Sequence, residues 1–330
     1  MVIAEIGVNH NGDVELAKQL IDAAKASGAD VAKFQVFEAE RLVTVDAPSA
    51  DYQTRNTGKD QHQLQLLQGL QLSTTDFEEL RAYCETIGIE FMASGFSIED
   101  IDTIVSLGVQ RLKIPSGEIT NLPYLRAAGS YKLPIILSTG MATIDEVQDA
   151  LVVLEESGFD RSLVTVLHCT TDYPTAPDDV NLRAMLTLRD ELQVEVGYSD
   201  HTEGITVAPV AVGLGAGVIE KHLTLDQSLP GPDHRASLEL ADFAAMVREI
   251  RIVEKILGNG QKIPTKAEEA NRLIARKSLV AAKDISAGEG FSADNLTTKR
   301  PGSGISPMQW DRVIGTKATS HYKADELIEP

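Results

Sequence analysis

The stretch "GVIEKHLTL" (217–225) begins as a buried strand, with Val218 and Ile219 suited to a sheet interior, and then changes character. Glu220, Lys221 and His222 intervene before the apolar residues resume. "VEVGYSDHTEG" (194–204) does the same, Val194 and Val196 leading into Ser199, Asp200 and His201. Two neighbouring strands that both stop on a polar cluster containing a histidine need a common explanation.

The rest of the chain supplies it. Strands are predicted at "VIAEIG" (2–7), "DVAKFQVF" (30–37), "EFMASGF" (90–96), "RLKIPSG" (111–117), "PIILSTG" (134–140), "VTVLHC" (164–169), "VEVGYSD" (194–200) and "VIEKHLT" (218–224). Amphipathic helical stretches separate them. Asp13 is placed to cap a helix that buries Leu16, Leu20, Ile21 and Ala24 and stops at Gly28. Thr143 and Glu146 form a capping box for a helix that ends at Gly158. Eight strand–helix units over roughly 250 residues match a (β/α)8 TIM barrel, an α/β fold whose chemistry sits at the C-terminal strand ends. Nearly every strand ends on polar groups: Glu5 and the Asn9-His10-Asn11 turn, Lys33 and Gln35, Ser94, Lys113 with Ser116 and Glu118, Ser138, His168 and Thr171, His201, His222. A full ring of them reads as an active site.

The expected barrel covers 1–260, its last helix stopping at "GNG" (258–260). A charged linker, 261–276, follows. From 277 to 330 the pattern changes to short strands and turns with no long helix. So small a domain is hard to stabilise alone and is expected to pack against a barrel, its own or a partner's.

Composition narrows the function classes. Of 330 residues 43% are hydrophobic and only 5% aromatic, which favours aliphatic α/β packing. Thirty Lys+Arg against 49 Asp+Glu give a formal charge of −19, which argues against nucleic acid or an anionic membrane as partner. Two cysteines, Cys84 and Cys169, give no disulfide framework. Met1 runs into "VIAEIG" without a basic n-region, and no apolar run approaches the ~18 residues of a membrane span, so a cytoplasmic protein is expected.

His201 and His222, at the ends of adjacent strands, can converge on one divalent ion, or each can bond backbone groups separately. Two imidazoles without a nearby thiolate favour Mn²⁺ or Mg²⁺ over a closed zinc site. Lys33 and Lys113 interrupt aliphatic strands and need an anion; each can meet a substrate, form a Schiff base, or pair with Glu5 or Glu118. Ser94, Ser116, Ser138 and Ser199 are sensible phosphate donors as a set. Glu118 suits acid–base work on a water, or a plain pairing with Lys113. His10 and His168 are weaker candidates.

Taken in order, "IAEIGVNHNGD", "VAKFQVF", "KIPSGEITNLPYL", "LSTGM", "LHCTTDYPT", "GYSDHT", "IEKHLTLD", "GPDH" and "TTKRPGSGIS" resemble the blocks of the sialic acid synthase family. The likeness spans nearly the whole chain, and the C-terminal part resembles the family's antifreeze-like (SAF, β-clip) domain. The resemblance implies condensation of phosphoenolpyruvate with an open-chain 2-acetamido sugar to a nine-carbon 2-keto acid and phosphate. It implies that His201 and His222 hold the metal, and that Lys33, Ser94, Lys113, Ser116, Ser138 and Ser199 hold phosphoenolpyruvate. Glu118 would handle the water that adds to C2, while Glu5, Gln35, Asn56, Tyr173 and Asp233 would face the sugar. Arg300, in "KRPGSG", would reach into a partner's barrel in a domain-swapped homodimer. Ser94-Gly95 replaces the usual Thr-Pro, Thr171 stands where some members carry Asn, and Ile274-Ala275-Arg276 replaces an aromatic found in some members. "IPSGEITNLPYL" and "HCTTDYP" look closer to the legionaminic acid and bacterial capsule branches than to the meningococcal type. The competing readings are a metal-dependent or Schiff-base aldolase and a non-catalytic sugar-binding protein.

Overall fold

The computed structural model describes residues 1–50, 54, 56 and 62–329. The chain divides into two compact units, Met1–Gly258 and Asn259–Pro330.

The first unit is a closed barrel of eight parallel strands in sequence order. These are β1 (Val2–Gly7), β2 (Val31–Val36), β3 (Glu90–Gly95), β4 (Leu112–Ile114), β5 (Ile135–Ser138), β6 (Val164–Cys169), β7 (Glu195–Asp200) and β8 (Val218–His222). β1 pairs with both β2 and β8, which shuts the cylinder. β4 is shorter than its aliphatic run suggests, because Pro115 leads into a 3₁₀ turn at Ser116–Glu118. A helix follows each strand. Asp13 accepts from the amides of Glu15 and Leu16 to start the helix Val14–Ala26, in which Leu20, Ile21 and Ala24 are buried and Leu16 is only half-buried. Thr143 and Glu146 form the expected capping box.

Successive strand residues point to opposite faces, so each strand sorts its side chains by parity. One set, including Ala4, Ile6, Phe34, Leu112, Ile114, Leu137, Val166, Tyr198 and Ile219, joins the large core shared with the helices. The other set faces the barrel axis. Its lowest members, Ile3, Val31, Met92, Ile136, Leu167 and Val218, form a separate apolar cluster. These six make a floor. β7 contributes Gly197 beside it, where a Cβ would fall 2.4 Å from Val218 O and 2.6 Å from Leu167 Cδ2. Only glycine leaves room for the leucine.

The second unit has its own small core around Leu279, Ala281, Ile285, Phe291, Leu296 and Tyr322. The strands β9 (Ser278–Ala281) and β10 (Leu296–Lys299) pair antiparallel. The charged stretch before them forms the helix Lys266–Ala275, started by a Thr265–Glu268 capping box.

Candidate active site

One inward-facing position above the floor, the barrel interior turns polar. Ile3 is followed on its face by Glu5, Val31 by Lys33, Met92 by Ser94, Ile136 by Ser138, Gly197 by Ser199 and Val218 by Glu220; β4 adds Lys113. A second step along the same faces gives Gln35 on β2, His201 just past β7 and His222 on β8. The polar residues of both steps line one cavity of about 430 Å³, together with Ser116, Tyr173 and Asp233.

Charge within it is tightly arranged. Lys33 Nζ lies 2.7 Å from Glu5 Oε2 and 3.6 Å from Glu220 Oε2. Lys113 Nζ lies 3.8 Å from Glu220 Oε1 and donates to Ser138 Oγ at 2.6 Å. Ser199 Oγ donates to Glu220 Oε1 at 2.9 Å. Burial disfavours the Glu220 charge, yet Lys113 and Lys33 overcome it and hold the carboxyl down at about 2. Glu5 is pushed the other way, upward, by burial and by Glu220, against the pull of Lys33. Burial also works against Lys33, but Glu220 and Glu5 together raise it. Lys113 is lowered, because burial outweighs the attraction of Glu220.

The two histidines meet as their strand positions suggested. Their ring centroids are 5.5 Å apart, and Tyr173 packs on both, 4.1 Å from His201 and 5.7 Å from His222. His201 Nδ1 lies 2.7 Å from Thr170 O; as the carbonyl can only accept, Nδ1 carries the proton and Nε2 keeps its lone pair. His222 Nδ1 is buried without a hydrogen-bond partner, with Asp233 Oδ2 4.0 Å away. Burial lowers His201 to about 4 and, with His201 beside it, takes His222 well below the ordinary range. Both imidazoles are therefore neutral, the form that ligates metals. No cluster of three or more His, Cys, Asp or Glu ligands occurs among the described residues. What the site offers is a pair of imidazole donors that leaves other positions to water and substrate oxygens, which fits an open catalytic ion.

Two residues expected at the cavity lie off it. Glu118 does not line the cavity; Asn121 Nδ2 donates to it at 2.6 Å, and burial raises its carboxyl despite that bond. The 3₁₀ turn after Pro115 sets that direction. Asn56 donates to Pro232 O at 2.7 Å, next to Asp233, rather than lining the cavity itself. Arg300 belongs to the second unit, where it is exposed and its Nε donates to Ala275 O at 3.0 Å.

Two features escaped the sequence reading. Glu220 bridges both lysines, and its signal was its parity, two residues before His222 on one strand. The other is an apolar part of the lining, Val8, Phe37, Leu42, Val43, Leu66, Leu67, Leu70 and Phe96.

The sequence matches the NeuB family over residues 20–262 and the SAF domain over 276–330. The chain belongs to the NeuB family. It is 49% identical to the N,N'-diacetyllegionaminic acid synthase of Campylobacter jejuni, over 99% of this chain and 98% of that protein. It is 47% identical to the Legionella pneumophila enzyme of the same name, over 99% of this chain and 92% of that protein. The crystal structure of the N-acetylneuraminic acid synthetase of Leptospira borgpetersenii superposes with a TM-score of 0.72 at 32% identity, covering 82% of this chain and 89% of that one. This NeuB-family member has no helix among its described residues long and apolar enough to cross a membrane.

Proposed function

We propose that this chain condenses phosphoenolpyruvate with an open-chain 2-acetamido hexose, specifically 2,4-diacetamido-2,4,6-trideoxymannose, to give N,N'-diacetyllegionaminate and phosphate. The observation that carries the reading is the two-storey interior: two lysines and three serines just above the floor, with two neutral histidines one step nearer the mouth. The lower storey suits a small trianion, and Ser116 adds a hydroxyl held by the Gly140 amide at 2.9 Å. The upper storey suits an aldehyde. The apolar lining suits the acetyl methyls and the C6 methyl of a deoxy sugar better than an additional hydroxyl.

When bound, a divalent ion, Mn²⁺ or Mg²⁺, would be held by His201 and His222 and would supply Lewis-acid polarisation of the sugar carbonyl. The chain's own groups do the rest. Lys33 and Lys113 fix the phosphate and carboxylate so that C3 of the enol faces the sugar C1. The new bond forms between these carbons, the aldehyde oxygen takes a proton, and water adds at C2. The C–O bond to phosphate then breaks, leaving the 2-keto group and carrying the bridging oxygen away. Glu5, Gln35, Tyr173 and Asp233 line the sugar's side, and Asn56 steadies the loop bearing Asp233. With Glu118 off the cavity, the carboxyl groups that face the reacting atoms are Glu5, Glu220 and Asp233.

The lowered Lys113 ammonium is the one observation that favours a Schiff-base aldolase instead. The test is phosphate release from phosphoenolpyruvate across a panel of acetamido hexoses, with and without EDTA. Release that requires the sugar, is greatest with the 2,4-diacetamido-6-deoxy substrate and stops in EDTA is the expected result. Sugar-independent release, or borohydride trapping of pyruvate on Lys113, overturns it.

A further inference from the structure

On the outer face of β7 and β8, turned away from the cavity, Asp200 and Lys221 sit opposite each other in the strand register. Their side chains are fully buried and form an ion pair at 3.0 Å. One step down the same face, the paired residues are Tyr198 and Ile219, ordinary core. Two charges taken out of water gain little net stability over apolar residues of similar volume. The pair's place in the chain suggests a different use: Asp200 directly precedes His201, and Lys221 directly precedes His222.

The remaining bonds all converge on Thr202. Asp200 Oδ1 accepts from the Thr202 amide at 3.0 Å and its hydroxyl at 2.7 Å, while Lys221 Nζ donates to Thr202 O. The residues on either side of His201 are thus fastened to each other and to the residue before His222. His201 itself is held at its carbonyl by the Thr175 amide, 2.8 Å, and at its ring by Thr170 O. We infer that the Asp200–Lys221 pair is a clamp outside the barrel wall that fixes the separation and aim of the two imidazoles inside it. Both are positioning residues; neither touches the cavity. The inference rests on the reading that His201 and His222 hold a divalent ion.

The test measures Mn²⁺ affinity by the EPR signal of the free ion, using the full chain without substrates. Wild type is expected to bind one ion per chain and His222→Ala to lose it. Lys221→Met and Asp200→Asn should bind about 10–100-fold more weakly, as expected when partners behind metal ligands are removed. Asp200→Asn keeps an oxygen for Thr202 and so carries the test should Lys221→Met not fold. The control is Arg111→Met, which breaks the two-bond Arg111–Glu90 ion pair at the other end of the barrel. It should lower the melting temperature and leave Mn²⁺ affinity unchanged. In a separate melting experiment, phosphoenolpyruvate, proposed to bind lower in the barrel, should raise the melting temperature of the clamp variants as much as that of wild type. Unchanged Mn²⁺ affinity in the clamp variants, with His222→Ala inactive in binding, overturns the inference alone. Failure of both clamp variants to fold does the same, marking the pair as a folding device. Full binding by His222→Ala, or none by wild type, overturns the metal reading and the inference with it.

Discussion

Glu220 on β8 and Lys33 on β2 face each other inside the barrel with Oε2 and Nζ 3.6 Å apart, although β1 separates their strands. Glu220 reaches Lys113 as well, so it is the carboxylate shared by both buried ammonium groups, while Glu5 pairs with Lys33 alone at 2.7 Å.

Replacing Glu220 by Gln leaves those ammonium groups undercompensated in a dry interior, which is costly. The variant should melt at a lower temperature than wild type. Phosphoenolpyruvate, by taking over the neutralisation, should raise its melting temperature more than that of wild type. Differential scanning fluorimetry with and without the anion reads both effects; equal shifts in the two proteins would sink the charge-balance argument.

The Gly140 amide donates to Ser116 Oγ at 2.9 Å, beside the proposed anion site. A Cβ there would lie 2.1 Å from Thr171 Oγ1, 3.0 Å from Ser116 Oγ and 3.3 Å from Cys169 Sγ. Gly140→Ala should displace the Ser116 hydroxyl and raise KM for phosphoenolpyruvate by about tenfold, matching ~1.5 kcal/mol for a hydrogen bond to a charged group. KM for the sugar should change little. Steady-state kinetics with each substrate varied in turn separates the two, and a rise confined to the sugar would contradict the assignment of Ser116.

Arg300 is expected to serve the site of a second copy. Arg300→Ala should lower kcat/KM for the sugar by one to two decades, roughly 1.5–3 kcal/mol. Mixing the inactive His222→Ala protein with the impaired Arg300→Ala protein under exchange conditions should give mixed dimers with one intact site each, raising activity to at most half of wild type. Absence of recovery, with exchange verified by native mass spectrometry, places Arg300 in its own subunit's site or in none.

His10 provides a pH signature away from the cavity. Burial pulls its imidazole from 6.5 down to about 4. Between those values the unfolded chain binds the proton and the folded chain does not, so stability falls as pH drops from 6.5 towards 4. One such group contributes a slope of at most about 1.4 kcal/mol per pH unit. Urea unfolding of His10→Gln across this window should show a shallower pH dependence than wild type. Parallel curves would show that His10 is not the group responsible.

The barrel was legible because eight aliphatic runs, nearly all leading into polar residues, alternate with ordinary helical signals. The strand residues that line the cavity were legible too, since a lysine or histidine at the end of an aliphatic run has few reasons to be there. Glu220 was harder: its place two residues before His222 puts it on the same face, but that counts only once His222 is taken to point inward. The same ambiguity hid the division of labour between Lys221, clamped outside, and His222, exposed to the cavity. Glu118 was misdirected because its orientation depends on the turn after Pro115, a local geometry rather than a residue type. The apolar lining from Phe37 to Leu70 was hidden in a connection, where hydrophobic residues show no period to reveal what they face.

The floor of Ile3, Val31, Met92, Ile136, Leu167 and Val218 closes the interior beneath Lys33 and Lys113, while His201 and His222 stand above them. A ligand resting on Lys33 and Lys113 lies deeper than one held at His201 and His222. Under the proposed function this geometry implies an order: a late-arriving sugar would trap its co-substrate, and a sugar that arrived early would block the way.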